Sequence, residues 1–442
     1  MLVRRSCRLL AGVCAAVWLC CGQTAVLSLD EAIRLAAKQN QQIQITTLEV
    51  NKAAEQTSQL KTQRLPVLKI YTNLGVSLIP IDLTVPRGTL GVYPSTGPIP
   101  DRDASIRTPR RLTGFLYGSA SQPLSQLYKI SLALKEAHIG EQAAREKLRQ
   151  QTQQTTQQVK QAFYQLTETQ SQIASAQTGV KYLEELAAFT ERNLAQETVL
   201  KADSLDVKAK LAQQRYQLLT LEDNLATQKE AFNYLLGRDL RTEFTVQAEP
   251  LPSEEETNLA AAQKKALEQR PEMRQAQLQT QKAALDVRRQ RAEYLPDVSL
   301  HFSYFSFANV NFFPQNVATA GLLIDWQPFD WGFKKHKIRE LRSSQKQASL
   351  AEHDAGQQIL RDVNASFRKL RETRALLGVT TAAQDAEREK LRVLLDRYKQ
   401  KSALLTDVLG QQNSLAQADT QYQQALSAFW TAKAAFERAL GE

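Results

Sequence analysis

From Asp297 the chain alternates between apolar and polar residues: Val298, Leu300, Phe302 and Tyr304 fall on one side, Asp297, Ser299, His301 and Ser303 on the other. A period of two predicts a strand with two unlike faces. Its partner is "ATAGLLIDWQPF", where Leu322, Ile324 and Trp326 alternate with Gly321, Leu323, Asp325 and Gln327. These strands span about 296–307 and 318–329, and less regular counterparts rich in aromatic and β-branched residues fall at about 65–78 and 112–124. Leu65-Pro66 and Leu295-Pro296 open the two pairs, and proline disfavours helix in the residue before it, so extended chain follows.

The remaining pattern is helical. From Ser125 to Gln196 and from Lys334 to Tyr398 there is no proline and little glycine. About seventy residues at ~1.5 Å each make a rod on the order of 100 Å. Leu194, Leu200, Leu205, Leu211, Leu218, Leu221 and Leu225 trace an apolar seam down and back. The spacing predicts antiparallel, coiled-coil-like hairpins over about 125–236 and 334–440, turning near Val199 and Ala403. Shorter helical stretches start at Leu29 and Asn258, each running on to its Leu-Pro.

The same landmarks occur twice in the same order: Leu65-Pro66 with Leu295-Pro296, Gln122-Pro123 with Gln327-Pro328, Leu236-Gly237 with Leu440-Gly441. The chain therefore divides into structural repeats at 23–245 and 246–442, giving a mainly α fold with four β-strands. Between Pro66 and Pro123 the first repeat carries an insertion of about twenty-five residues, rich in proline, glycine and charge, which reads as a loop.

The opening "MLVRRSCRLLAGVCAAVWLCCGQTA" has a basic start and a short apolar run, the pattern of a secretory signal peptide over 1–22, with cleavage after Gly22 or Ala25. All four cysteines lie in it, so a mature chain has no disulfide or thiolate metal site. Trp18, Leu19 and Cys20 make a poor context for lipid attachment at Cys21. The formal net charge of +10 owes three units to Arg4, Arg5 and Arg8, and elsewhere acids and bases interleave. No basic run is interleaved with aromatics, which argues against a nucleic-acid partner.

Four strands of about ten residues suit a tilted bilayer crossing, and the strands alone suit a buried sandwich equally. In lipid, however, four strands can neither close a barrel nor leave their edges open. An oligomer resolves both constraints, and three copies would supply twelve strands and twelve helices.

The segments "VLKADSLDVKAKLAQQRYQLLTLEDNLATQKEAFNYLLGRDL" from Val199 and "YKQKSALLTDVLGQQNSLAQADTQYQQALSAFWTAKAAFERALG" from Tyr398, with the repeat layout, resemble the TolC-like outer-membrane efflux proteins. The resemblance covers nearly the whole mature chain. It implies a homotrimer with a 12-stranded transmembrane β-barrel in the bacterial outer membrane and a periplasmic α-helical barrel. It also implies a passive exit duct for efflux or type I secretion, docked on a periplasmic adaptor and an inner-membrane transporter.

By that resemblance Asp407 and Asp203 match acids of the two hairpin tips and Tyr398 a tyrosine that ties the closed tip. Symmetry makes a ring of one acid, which attracts cations. Each aspartate equally suits a helix start, where it accepts backbone N–H bonds. The family's second acidic ring falls at Gly410, its tip glycines at Glu197 and Lys401, and its basic tying residue at Ala403. Lys401 or Lys399 could then pair with Asp203 or Glu197 of a neighbour. Val199, Leu200, Leu404 and Leu405 are the adaptor-contact candidates, and Trp326, Phe329 and Trp331 the interfacial aromatics.

His138, His301, His336 and His353 lack ligand spacing, and neither a phosphate loop nor a nucleophile elbow occurs. No metal, cofactor or enzymatic activity is expected. The rival reading is a periplasmic or surface coiled-coil scaffold used in adhesion, without transport.

Overall fold

In a computed structural model, the structure describes residues 25–76, 78–108, 112–196, 200–247, 258–309, 314–400 and 402–442. The expected signal peptide with its four cysteines lies outside the described residues, as do Glu197, Val199 and Lys401.

The first half opens with β1 (Ala25–Leu27) and α1 (Leu29–Gln39), started by the Ser28 hydroxyl, which accepts from the Glu31 N–H at 3.3 Å. Then come α2 (Gln41–Thr62) and the ten-residue β2 (Val67–Val76). The insertion, expected as a loop, is structured: β3 (Ile81–Val85), β4 (Val92–Tyr93), β5 (Gly97–Pro98) and β6 (Ala104–Thr108) pair as β3 with β6 and β4 with β5. A long excursion needs partners for its backbone polar groups, and Gly88, Gly91 and Gly97 supply the positive-φ turns that let the chain pair with itself. The sheet resumes at β7 (Leu112–Pro123); α3 (Gln126–Ala195) runs 70 residues unbroken, α4 (Lys201–Leu236) returns, and β8 (Phe244–Val246) pairs parallel with β1.

The second half repeats the order with α5 (Leu259–Gln269), α6 (Pro271–Ala292), β9 (Asp297–Ala308), β10 (Asn316–Asp325), α7 (Phe333–Lys399) and α8 (Leu405–Leu440). Where the sequence pattern predicts one helical run before each Leu-Pro, the structure has two. Asn40 (φ −60°, ψ 126°) separates α1 from α2, and Arg270 (φ −67°, ψ 129°) separates α5 from α6. Pro271 accounts for the second break. At the first, the Asn40 side-chain amide donates to Leu235 O at 2.8 Å, so the end of α4 satisfies the buried turn residue.

The Leu-Gly landmarks gain their meaning there. Gly237 ends α4 at φ 74°, and a Cβ on it would lie 2.6 Å from the Gln39 carbonyl carbon. Gly441 ends α8 at φ 90°, where a Cβ would lie 2.9 Å from the Gln269 carbonyl carbon. In each half a returning helix stops against a broken one, at a contact too close for any side chain.

Packing forms two compact units, one from described residues within 1–40, 155–256 and 369–434, the other within 41–154, 257–368 and 435–442. In the first, Leu27, Leu29, Ala32 and Ala36 pack with Val159, Phe163 and Leu166, with Phe232 and Leu236, and with Phe244 and Val246. Seam positions Leu211, Leu218 and Leu225 lead at seven-residue steps to fully buried Phe232, whereas Leu200 and Leu205 of the expected seam are exposed. On α8 the buried positions Ala418, Ala425 and Ala432 keep the same step, the repeat that brings one seam of a helix against a partner. The second unit is built on a four-stranded antiparallel sheet ordered β10-β9-β7-β2, in which the inner strands of the two halves pair with each other.

Candidate functional site

The sheet register sorts side chains onto two faces, because successive residues of a strand point opposite ways. One face carries Leu68, Ile70, Leu74 and Val76 of β2, Leu112 and Leu116 of β7, Leu300 and Phe302 of β9, and Leu322 and Ile324 of β10. All ten are exposed, Leu68 by 75% and Ile70 by 76%. The other face carries Lys69, Asn73, Thr113, Ser119, Ser121, Ser299, His301, Ser303 and Thr319, with aromatic rings and the apolar Val67, Val317 and Leu323 among them. Ser299 and Ser303 are buried here, so this is the more enclosed side. An apolar face of this extent has no stable place in water. The outer edges of β2 and β10 pair with no other described strand. A two-faced sheet with open edges fits a wall between lipid and water that further copies complete. Among the described residues no helix is long and apolar enough to cross a membrane.

The three aromatics singled out in the sequence stand where β10 gives way to α7. Trp326 is exposed and donates its indole N–H to Tyr294 O at 3.3 Å. Phe329 and Trp331 meet edge to face, ring centroids 4.7 Å apart. Trp331 is 89% exposed and held at φ 56°, a conformation bulky residues rarely adopt. Asp330 fixes it: its carboxylate accepts from Gly332 N at 3.1 Å and Lys334 N at 2.9 Å, starting α7. Phe333 and Tyr294 are exposed beside them, with the Lys334 ammonium 5.7 Å from the Tyr294 ring centroid. The sequence pattern does not single out Tyr294 and Phe333; their place before and after the strand pair is the signal that could have found them.

At the other end of the long helices, α7 stops at Lys399, and the Ser402 N–H and hydroxyl both donate to Arg397 O at 2.9 Å. Leu404 is 68% exposed, and Leu405 opens α8. The Asp407 carboxylate, exposed, accepts from Leu404 N at 3.3 Å. In the first hairpin Leu200, also exposed, precedes α4, and Asp203 sits one turn in, half-buried, with its own N–H donating to Leu200 O at 3.1 Å. The two acids thus hold the same position in the two helices, but among the described residues only Asp407 closes its helix start with its side chain. Behind the tips Leu183, Leu186, Val207 and Leu409 form one buried cluster, with Tyr182 and Leu211 against it. Tyr398, half-buried, has its phenol pKa raised by burial. Tyr182 is raised by burial and then by the charge Tyr398 would carry, so the two phenols share an environment. Tyr182 is not among the residues picked from sequence; more than two hundred positions separate it from Tyr398, and only the packing of α3 near α7 joins them. Of the gate candidates named from sequence, Asp203, Asp407 and Tyr398 lie among the described residues. Gly410, one turn beyond Asp407, has open space where a Cβ would stand. Among the described residues no three His, Cys, Asp or Glu side chains gather as a metal set.

Residues 262–442 match the outer membrane efflux protein family. The sequence matches no curated protein. Among solved structures, the outer membrane protein VceC from Vibrio cholerae superposes with a TM-score of 0.73 at 18% identity, over 93% of this chain and 96% of that one. The CmeC outer membrane channel of Campylobacter jejuni gives 0.76 at 13% identity, over 93% and 85%. The open state of the Neisseria gonorrhoeae MtrE outer membrane channel gives 0.71 at 18% identity, over 93% and 88%. At these identities the likeness is one of fold.

Proposed function

We infer that this chain, whose residues 262–442 match the outer membrane efflux protein family, is the outer-membrane channel of a tripartite export system. The observation that carries this reading is the sheet, apolar and exposed on one face, polar on the other, and open at both edges. A scaffold in water has no use for ten exposed large apolar side chains on one sheet face. A channel has: the apolar face meets lipid, the polar face lines the pore, and the open edges pair with those of identical copies. Three copies give a barrel of twelve strands, wide enough for a lumen.

The long hairpins then extend the duct on the periplasmic side, and their tips meet the adaptor of an inner-membrane pump. Leu200 and Leu404, exposed apolar residues beside each turn, are the described candidates for that contact, with Val199 and Leu405 next to them in sequence. Asp407, repeated by symmetry, places a ring of carboxylates at the entrance, and Asp203 lies behind it. Tyr398 helps hold the tip closed. Trp326, Phe329 and Trp331 anchor the barrel at the inner lipid–water interface, where amphipathic rings settle.

Purified protein reconstituted in planar bilayers tests the reading. It should run as a heat-modifiable oligomer from the outer-membrane fraction and open discrete conducting steps. A soluble monomer released with the periplasmic extract would sink it.

A further inference from the structure

The polar face of the sheet carries one feature that a simple water-filled wall does not require. The rings of Tyr71 and Tyr117 stack with centroids 5.9 Å apart, Tyr117 and Phe305 stand 4.3 Å apart, and Phe305 and Phe307 stack at 6.0 Å with planes 9° apart. Register explains the series. Tyr71 opposes Tyr117, Tyr117 opposes Phe305, and Phe307 lies two residues along β9 on the same face. Four strands would bury such rings in a soluble core; here Tyr71 stays 52% exposed on the side read as the lumen.

The neighbouring level is polar and of one sign. Lys69, Ser119, Ser303 and Thr319 oppose one another across the four strands, one step of two residues nearer the helices than the Tyr71 level. Ser303 Oγ and Thr319 Oγ1 are 2.6 Å apart. Lys69 is exposed and has no ion-pair partner among the described residues. Of the acids on this face, Asp297 faces Lys129 Nζ at 2.8 Å, and Asp325, its register partner, lies three levels away, about 20 Å along the strands. That exceeds the ~8 Å screening length at physiological salt. Among the described residues of this face the Lys69 charge therefore has no compensating acid beside the row of rings.

Resting on the channel reading, we propose that these two levels form a binding site in the barrel for planar aromatic anions in transit. The ring of the ligand stacks on Tyr117 and Phe305 while its carboxylate or sulfonate meets the Lys69 ammonium and the Ser119 hydroxyl. Each copy contributes one such site, and offset stacking favours planar rings over saturated ones of the same size. The charge excludes the cationic analogue by repulsion rather than by shape.

The test uses 2-naphthalenesulfonate with the full-length protein, both as blocker of single-channel current and by calorimetry in detergent. Wild type should bind it about tenfold more tightly than cyclohexanesulfonate or a naphthylmethylammonium ion. Phe305→Leu and Tyr117→Leu, which keep an apolar filler, should lose most of the preference for the planar ring. Lys69→Gln, an exposed change that leaves the sheet intact, should lose the preference for the anion. Equal binding of all three probes, or variants indistinguishable from wild type, would overturn the site. A silent bilayer alongside intact, variant-sensitive calorimetric binding would instead overturn the channel reading alone.

Discussion

The backbone N–H of Leu404 donates to the carboxylate of Asp407 at 3.3 Å, closing the first turn of α8 from within. The acid sits at the third helical position and reaches back to the residue before the helix, the acidic half of a capping box. It also remains exposed, so one side chain starts the helix and, in the function proposed above, is free to line the pore. Asp407→Asn separates the two roles, because the amide oxygen can still accept from Leu404 while the charge is gone. Asn should leave thermal unfolding nearly unchanged and weaken divalent block and cation selectivity in planar bilayers. Unaltered selectivity and block would reduce Asp407 to a helix start.

The contact between Gly237 and Gln39 makes a second, purely structural expectation. Gly237→Ala combines a side chain at φ 74° with a Cβ 2.6 Å from backbone, and Gly441→Ala repeats the conflict at φ 90°. Left-handed strain and overpacking each cost about 1–3 kcal/mol, so either variant should lower the unfolding midpoint clearly. Gly410→Ala, in open space within α8, should raise stability by about 0.5–1 kcal/mol. Similar midpoints for all three would mean that the close approach does not bear on stability.

The paired phenols set an alkaline limit. Burial raises the pKa of Tyr398, and burial together with the Tyr398 charge raises that of Tyr182, so folding favours the neutral form of both. A group raised in the folded state gives stability fully present below its unfolded value, here about 10, and lost as pH rises through the folded value. The unfolding midpoint should therefore hold to about pH 10 and fall beyond it. Tyr398→Phe should flatten that fall, and a profile unchanged by Tyr398→Phe would show that the phenol carries none of it.

How far the sequence reaches is clear from single residues. The two proline-free runs correspond to α3 and α7 to within a few residues because nothing in them breaks a helix, and the Leu-Pro pairs stand immediately before β2 and β9. The break at Asn40 is less visible. In "AAKQNQQIQI" no proline marks it, but the other copy writes Arg270-Pro271 at the same place, and reading one repeat through the other would have moved the break across. The three-residue strands β1 and β8 are too short to show a period. The aromatic row was within reach: continuing the alternation past Ser303 puts Phe305 and Phe307 on the polar face. Only the register, however, brings Tyr71 and Tyr117 beside them.

Gly410 offers the converse of removing an acid. It is exposed, three residues beyond Asp407 and so on nearly the same side of α8, and a Cβ there meets nothing within 4 Å. Gly410→Asp therefore adds a carboxylate next to the ring proposed for Asp407 without a clash, and helix propensity does not oppose it, since aspartate outranks glycine in a helix interior. Like charges that close repel, which makes the site bind divalent cations more strongly than monovalent ones. Block of single-channel current by a divalent ion should move to lower concentration in Gly410→Asp and return to the wild-type level in Gly410→Asn. Weaker block in the double variant Asp407→Asn, Gly410→Asp than in Gly410→Asp alone would show that the two positions act as one entrance. If block in Gly410→Asp matches wild type, residue 410 does not face the conducting path, and the tip admits ions past some other surface of α8.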